Sequence, residues 1–406
     1  MRTRSGWSRD SIVHPLFHHW RFLGTGFLLV AFSAVGQTFV LSLFGGEWRT
    51  TFGLSHGQLG LAYSGATLAS AVLLISAGRL VDHLPLRVMV VFVLTGAALG
   101  SAVLAFSPGV LGLVLGFFLL RFFGQGLMTH TALTAVARAF DTHRGKAVSL
   151  VAAGLPAAEG VAPILMVAAA AAVGWRSTWG LVAVVLLILS FLVFALLGTR
   201  VPERATESQT PGTATHWTRG QVLRDSRFYL IVPALMGAPL IVTAVFFHQV
   251  PLAEAKGWTL PWLASSFVAF AAAHLVSLFF AGPLVDRFGS RRLLPWHLTP
   301  LFLALLALNL AAGPWLAPVY LALAGLGMGG ANTLMGVIWA ELYGTAHLGA
   351  IRAVAQAAMI FSTAAAPVSV GMLLDLQWSM EAVVLLLAAY AVMASLLAWV
   401  GLHRSP

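Results

Sequence analysis

Apolar runs of about twenty residues recur along the chain, and this pattern constrains the fold more than any other feature. The hydrocarbon core of a membrane, about 30 Å thick, is crossed by about 20 apolar residues in a helix. Lipid-exposed backbone must form its hydrogen bonds within its own segment, and the runs lack the alternation of barrel strands, so each run predicts a spanning helix. The twelve predicted spans are 22–45, 57–77, 88–107, 109–136, 147–173, 178–198, 228–251, 260–281, 293–313, 316–340, 352–374 and 381–402.

Composition excludes several classes of function. Only 9% of the 406 residues are charged, whereas a soluble domain carries about 25%. The absence of cysteine removes disulfide frameworks, thiolate metal sites and cysteine nucleophiles. The net charge of +10 comes from arginines that separate apolar runs, so nucleic acid is not an expected partner. We expect no cofactor and no metal.

The serine in Gly53-Leu-Ser55-His-Gly57 matches the nucleophile elbow of hydrolases. That elbow requires a strand, a turn and a helix on an α/β sheet, and an apolar helical chain provides no such sheet. Ser55 is expected instead to cap the start of the second helix from an outer loop. A membrane-embedded hydrolase would need a base beside Ser55, so the chain is expected not to be an enzyme.

Lysines and arginines concentrate in alternate loops, which sets the predicted orientation. Basic residues resist translocation, so loops that are rich in them face the cytoplasm. With the N-terminus inside, the basic residues outside are Arg49, Arg176 and Lys256, while Arg121 falls within a span. Both termini are therefore predicted to be cytoplasmic. The first span follows a polar leader without a convincing cleavage site, so we expect it to remain attached.

The chain divides into two similar halves. The long polar segment falls between the sixth and seventh spans, and Gly78-Arg-Leu-Val-Asp82 recurs 204 positions later as Gly282-Pro-Leu-Val-Asp286. Repeats of this kind are what many transporter folds are built from. The predicted segments are a cytoplasmic leader (1–21), a six-helix bundle (22–199), a cytoplasmic linker (200–227), a second six-helix bundle (228–402) and a tail (403–406).

The repeated loops resemble the G-x-L-x-D-R-x-G-R-R/K motif of the major facilitator superfamily. The second copy matches it with Gly282, Leu284, Asp286, Arg287, Gly289, Arg291 and Arg292, whereas the first has His83 and Pro85 in place of arginine and glycine. Arg121 with its following glycines is similar to the family's helix-4 motif. FFHQ (246–249) and AELYGTAHLGAIRA (340–353) resemble bacterial members related to monocarboxylate or oxalate/formate carriers, and this resemblance implies the inner membrane of a bacterium.

The resemblance implies an all-α membrane fold of twelve helices in two pseudo-symmetric bundles that rock around a central cavity. It implies that the loop motif holds the halves together in one state of the transport cycle. A solvated loop without that role is the alternative. The residues expected to take part in gating are Gly78, Asp82, Arg87, Gly282, Asp286, Arg287 and Arg291.

Two charged residues lie within predicted spans, where an unpaired charge costs several kcal/mol. Arg121 and Glu159 lie at depths that differ by about 6 Å when counted from the turn between their helices. The sequence therefore permits an ion pair near the middle of the membrane. Arg121 is a candidate for binding an anionic substrate and Glu159 for taking and releasing a proton, and a static ion pair is the alternative.

Neutral polar groups at middle depth, and histidines placed where a cavity could lie, complete the candidate site, with helix packing as the alternative for each. His274 is the second candidate for proton coupling. The further candidates for substrate binding are Gln37, Gln125, His130, His248, Asn332 and Thr333.

These features predict a secondary transporter of a small solute, most simply an organic anion coupled to protons, that acts as a monomer in the lipid bilayer. The chain has no P-loop for ATP, so a gradient would drive uphill transport. Two other functions stay open at this point. A cavity rich in Phe, Met and Trp suits efflux of hydrophobic drugs, and a membrane protein that senses a solute without carrying it belongs to another class.

Overall fold

The structure of the chain, a computed structural model, describes residues 19–78, 80–140, 143–196, 217–344 and 346–403. The side chains of Asp82 and Leu196 are not among the described parts. Most of the predicted leader, the first part of the predicted linker and the end of the tail also lie outside the described residues. Those boundaries therefore stay predictions.

The described chain is helical throughout, and its helices account for the predicted spans. Ten helices are long and apolar enough to cross a membrane, and a bent pair near the N-terminus makes one further span. The longest helix, Arg144–Ala195, breaks at Gly174 and forms two spans. The twelve spans are α1 (Trp20–Gly36 with Thr38–Phe52), α2 (His56–Ala77), α3 (Leu86–Phe106), α4 (Val110–Ala139), α5 (144–173), α6 (175–195), α7 (Ser226–Phe247), α8 (Leu260–Phe288), α9 (Ser290–Leu310), α10 (Leu316–Tyr343), α11 (Leu348–Asp375) and α12 (Met380–His403).

The first span differs from the prediction, because α1 is longer and bends by 50°. Helical geometry tightens over Ser33–Gly36, and Gln37 is extended at φ −84° and ψ 151°. The bend lies where α1 crosses α4, since a Cβ on Gly36 would overlap the Leu120 carbonyl oxygen. The cap predicted at the start of α2 is confirmed, because Ser55 Oγ accepts a hydrogen bond from the Gln58 N–H.

The chain forms two six-helix halves, α1–α6 and α7–α12, which meet mainly along two helix pairs. One pair is α2 with α11, and the other is α5 with α8. Glycines allow the first pair to approach backbone to backbone, because a Cβ on Gly60 would overlap the Pro367 carbonyl oxygen. In the second pair, a Cβ on Gly160 would lie 3.3 Å from the Ala271 Cβ.

The two ends of the bundle differ in how the halves meet. We call the end near Trp20 and His403 the terminal face, and the end near Phe52 and Asp375 the distal face. The polar contacts between the halves that the described residues form run from the distal face to the middle of the bundle. The halves are therefore joined on the distal side.

Replacing Gly36 with alanine should destabilise the fold, because the added methyl group overlaps backbone of α4. Overpacking of this kind costs about 1–3 kcal/mol. We expect a lower midpoint of thermal unfolding in detergent. Gly65→Ala is the matched control, since a Cβ there meets nothing within 4 Å and alanine favours a helix. Equal midpoints for Gly36→Ala and the parent would contradict the close approach of α1 and α4.

Candidate functional site

Arg121 lies at the centre of the first half, in a stretch of α4 that is wound as a π-helix. The π-helical residues are Leu120–Met128, and such segments are frequent at functional sites. The Arg121 side chain is only 6% exposed. Its Nη1 donates to the Gly36 carbonyl oxygen at 3.2 Å, and its guanidinium lies 5.1 Å from the centre of the Tyr63 ring. Arg121 therefore connects α4 with the bend of α1 and with α2.

The charge of Arg121 has no carboxylate partner within salt-bridge distance among the described residues, and its Nε has no hydrogen-bond partner. A guanidinium carries five N–H donors in a planar fork that matches a carboxylate. Contact with the Tyr63 ring offsets part of the cost of burial through cation–π attraction. The arrangement leaves Arg121 as a buried cation with unused donor capacity, which is suited to an anion.

Tyr63 is a residue of this site that the sequence analysis did not single out. It is fully buried, and its hydroxyl lies 2.7 Å from Thr38 Oγ1. Its ring also packs against Phe247 of the second half, with ring centres 4.7 Å apart. Tyr63 thus links the surroundings of Arg121 to the interface between the halves.

Glu159 pairs with His274, and the ion pair that the sequence permits between Arg121 and Glu159 is not formed. Glu159 Oε2 lies 2.8 Å from His274 Nδ1, and the two residues are 5% and 4% exposed. The two side chains do not meet because they lie on helix faces that point to different neighbours, not because of their depth. The neighbouring Gly160 packs against Ala271, so Glu159 faces α8, whereas Arg121 faces α1 and α2.

The Glu159–His274 pair bridges the two halves at the centre of the bundle. Glu159 is about 22 Å along α5 from Arg144, and His274 is about 21 Å along α8 from Leu260. His274 Nε2 is buried without a hydrogen-bond partner. The pair therefore joins a buried carboxylate and a buried imidazole across the contact between the two halves.

Gln37 and Gln125 are brought near Arg121, and each is partly buried. Gln37 is the extended residue at the bend of α1, and Gln125 lies in the π-helical stretch. Gly36, the neighbour of Gln37, packs against the backbone of Gln125 at the crossing, because a Cβ on Gly36 would lie 2.6 Å from the Gln125 nitrogen. These two amides belong to the same crossing as Arg121.

The other predicted binding residues lie elsewhere. His130 is exposed near the terminal face, with Nε2 3.3 Å from the Gly78 carbonyl oxygen. His248 follows the end of α7 at the distal face, where Nδ1 contacts the Ala244 carbonyl oxygen at 3.0 Å. On α10, Asn332 is exposed and the Thr333 hydroxyl donates to the Gly329 carbonyl oxygen of its own helix at 3.3 Å. The structure does not bring these four residues together with Arg121.

The described gating candidates form contacts within their own halves. Arg87 donates to the Phe194 carbonyl oxygen, and its guanidinium lies 4.6 Å from the centre of the Phe194 ring. In the second half, Arg291 donates to the Glu341 carbonyl oxygen at 3.0 Å. Gly78 faces His130, a Cβ on Gly282 would meet nothing within 4 Å, and Asp286 and Arg287 are exposed. No hydrogen bond of these candidates joins the halves within the described residues.

Glu341 is a partner that the loop motif alone did not indicate. Its carboxylate accepts hydrogen bonds from the Ser290 hydroxyl at 2.5 Å and from the Ser290 N–H at 3.4 Å. Ser290 begins α9, so the carboxylate satisfies a free N–H at that helix start. Together with the bond from Arg291, this contact ties the loop between α8 and α9 to α10.

Comparison with known proteins agrees with this architecture. A family model described as Major Facilitator Superfamily matches residues 26–273 and 262–406. A bacterial homolog of the human lysosomal transporter Spinster, solved in an inward-facing and unoccupied conformation, has a similar fold at a TM-score of 0.67, 14% identity and coverage of 94% of each chain. Its inward-facing, occupied form gives a TM-score of 0.62 at 14% identity, over 95% of this chain and 98% of that one.

No curated protein matches the sequence. The likeness to the two solved structures therefore supports the fold, and the family model supports membership. That model matches both halves of the chain and continues to residue 406. The chain belongs to the Major Facilitator Superfamily.

Proposed function

We propose that this membrane protein is a secondary active transporter of a small organic anion, coupled to protons, in the inner membrane of a bacterium. The observation that carries the proposal is the buried, carboxylate-free charge of Arg121. A buried cation without an anion is costly unless it is wetted or paired. A substrate carboxylate would neutralise this charge and use its free donors. Gln37 and Gln125 are the nearest candidates for additional hydrogen bonds to the substrate.

The proton site in this proposal is the Glu159–His274 pair. Both groups can change protonation, and each is buried at the interface of α5 and α8. Adding or removing a proton changes the attraction between the halves at the point where they must separate or rotate. Coupling therefore requires no direct contact between the proton site and Arg121.

The contacts that join the two halves on the distal side support a transport cycle by alternating access. If both termini are cytoplasmic, as the distribution of basic residues predicts, the terminal face is cytoplasmic and the described conformation opens inward. The loop motif, with Asp82, Arg87, Asp286, Arg287 and Arg291, would then join the halves at the terminal face in the opposite state. Gly282 leaves room for that approach, since a Cβ there would meet nothing within 4 Å, whereas Gly78 packs against His130. Asn332 and Thr333 would offer hydrogen bonds from the second half.

Uptake into proteoliposomes tests the proposal. The purified protein is reconstituted, and radiolabelled lactate, benzoate, oxalate and succinate are supplied with and without an imposed pH gradient. We expect accumulation of at least one of these anions that depends on the gradient and exceeds that in protein-free liposomes. If none of these anions accumulates and hydrophobic cations are transported in a gradient-dependent way, the result would favour drug efflux instead.

A further inference from the structure

A carboxylate of the second half caps a helix of the first half at the distal face. Asp375 ends α11 and accepts hydrogen bonds from Ser55 Oγ at 2.6 Å, from the His56 N–H at 3.0 Å and from the Gly57 N–H at 2.9 Å. We call these four residues the distal contact. The first N–H groups of a helix have no partner within the helix and form the positive end of its dipole. A negative charge at this point is therefore stabilised.

The start of α2 also has a capping box of its own, in which Asp375 takes no part. Ser55 and Gln58 form a reciprocal pair of hydrogen bonds, in which Gln58 Oε1 accepts from the Ser55 N–H at 2.9 Å. The N–H groups of His56 and Gly57 lie outside that pair, and they are the ones that Asp375 binds. The carboxylate of the second half therefore satisfies N–H groups of the first half that the local cap leaves over.

Glycines of α2 and α11 leave the space that the distal contact occupies. A Cβ on Gly57 would lie 2.7 Å from Asp375 Oδ2, and a Cβ on Gly371 would lie 2.6 Å from the His56 carbonyl oxygen. Both glycines stand where the two helices face each other at the distal end. Their missing side chains let the carboxylate reach the helix start at hydrogen-bond distance.

A second contact between the halves, formed by uncharged groups, lies between α1 and the end of α7. Gln249 donates from Nε2 to the Phe39 carbonyl oxygen at 2.9 Å and to Ser42 Oγ at 2.8 Å. Ser42 in turn donates to the Phe246 carbonyl oxygen at 2.6 Å. Gln249 and Ser42 are buried, whereas Asp375 is exposed. The charged bonds of the distal contact are thus the part of the closure that water reaches first.

We infer that Asp375 is a positioning residue for transport, whose carboxylate holds the distal entrance closed and leaves Ser55, His56 and Gly57 when the entrance opens. The inference rests on transport by alternating access, and it does not depend on the identity of the solute or the coupling ion. Exposure of the carboxylate weakens its bonds by solvent screening, which suits a contact that must break in every cycle. Removal of Asp375 should therefore shift the population towards the distally open state.

Cysteine labelling measures this shift, because the chain contains no cysteine of its own. Ser64→Cys provides the reporter, since Ser64 is 5% exposed, its hydroxyl has no hydrogen-bond partner, and it lies one helical turn beyond Gly60 on α2. Intact cells are treated with a membrane-impermeant maleimide. Thr51→Cys, at an exposed position of the distal face, gives the rate for a site that is always open and identifies the side of the membrane.

In the Ser64→Cys background, Asp375→Ala should raise the labelling rate about three- to tenfold, the range expected for loss of one helix cap. Asp375→Asn, which keeps an acceptor but loses the charge, should give a smaller rise. Glu381→Gln is the matched control, because Glu381 pairs with Lys256 within the second half at 3.3 Å. Its labelling rate should equal that of the parent.

The parental labelling rate in both Asp375→Ala and Asp375→Asn, with Thr51→Cys labelled normally, would overturn the inference. If Asp375→Ala does not accumulate in the membrane, the rate in Asp375→Asn decides the question. No solute is added in this experiment. Failure of the inference would therefore leave the anion proposal intact, and failure of anion uptake would leave the labelling result valid.

Discussion

Replacing Arg121 with alanine should reduce anion uptake by about two orders of magnitude. Truncating one partner of a buried, hydrogen-bonded charge pair costs about 2–5 kcal/mol, which corresponds to roughly thirty- to several-thousand-fold. The loss should appear at all accessible substrate concentrations, because the Arg121 charge would be the principal attraction for the anion. Initial rates of uptake into proteoliposomes, compared at equal protein density, measure the effect.

Arg121→Lys separates the charge from the shape of the site. Lysine retains one positive charge but not the planar fork that binds a carboxylate through two parallel hydrogen bonds. We expect intermediate uptake, mainly through a higher KM. Lys256→Gln is the matched control, since it removes one positive charge from the distal face without touching the site. Parental uptake in Arg121→Ala would remove this residue from the mechanism.

Replacing Glu159 with glutamine should abolish uptake driven by a pH gradient while retaining exchange of labelled for unlabelled anion. Glutamine preserves the size of the side chain and an acceptor for His274, but it does not titrate in the physiological range. Net transport requires the return of the carrier with a changed proton load, whereas exchange requires only movement with the anion bound. Parallel assays of gradient-driven uptake and of counterflow measure the two activities.

His274→Asn tests the other partner of the pair. The asparagine amide can take the place of His274 Nδ1 beside the Glu159 carboxylate, but it does not titrate. We expect weakened coupling of anion transport to protons, with anion exchange retained. Glu381→Gln is the control for Glu159→Gln, because it removes a carboxylate that lies outside the proton site. If both Glu159→Gln and His274→Asn accumulate the anion with parental dependence on the pH gradient, the proton site lies elsewhere.

The helical architecture could be predicted from sequence because the thickness of the membrane sets the length of each apolar run. Apolar runs of spanning length and the repeat from Gly78 to Gly282 were sufficient for twelve helices in two halves. The bend of α1 was missed, since it arises from the approach of Gly36 to Leu120 in another helix. Neither residue carries a local signal for a break at Gln37.

The candidate site could be predicted only in part. Depth along a helix follows from counting residues, so the sequence places Arg121 and Glu159 near the middle of the membrane and offers His274 as a histidine where a cavity could lie. Which helix each side chain faces depends on packing, and this is why Glu159 was matched with Arg121 instead of His274. Tyr63 and Asp375 carry no distinguishing pattern, because a tyrosine in a span and an aspartate at a helix end are both common.

The most direct test of the central claim is the movement of protons driven by an anion gradient. Proteoliposomes loaded with a pH-sensitive dye receive, on the outside, an anion that the uptake assay has identified, and the lumenal pH is recorded. The account predicts a rapid pH change in the parent that exceeds that of protein-free liposomes and is absent in both Arg121→Ala and Glu159→Gln. Anion uptake by the parent without any pH change beyond the protein-free background would contradict it.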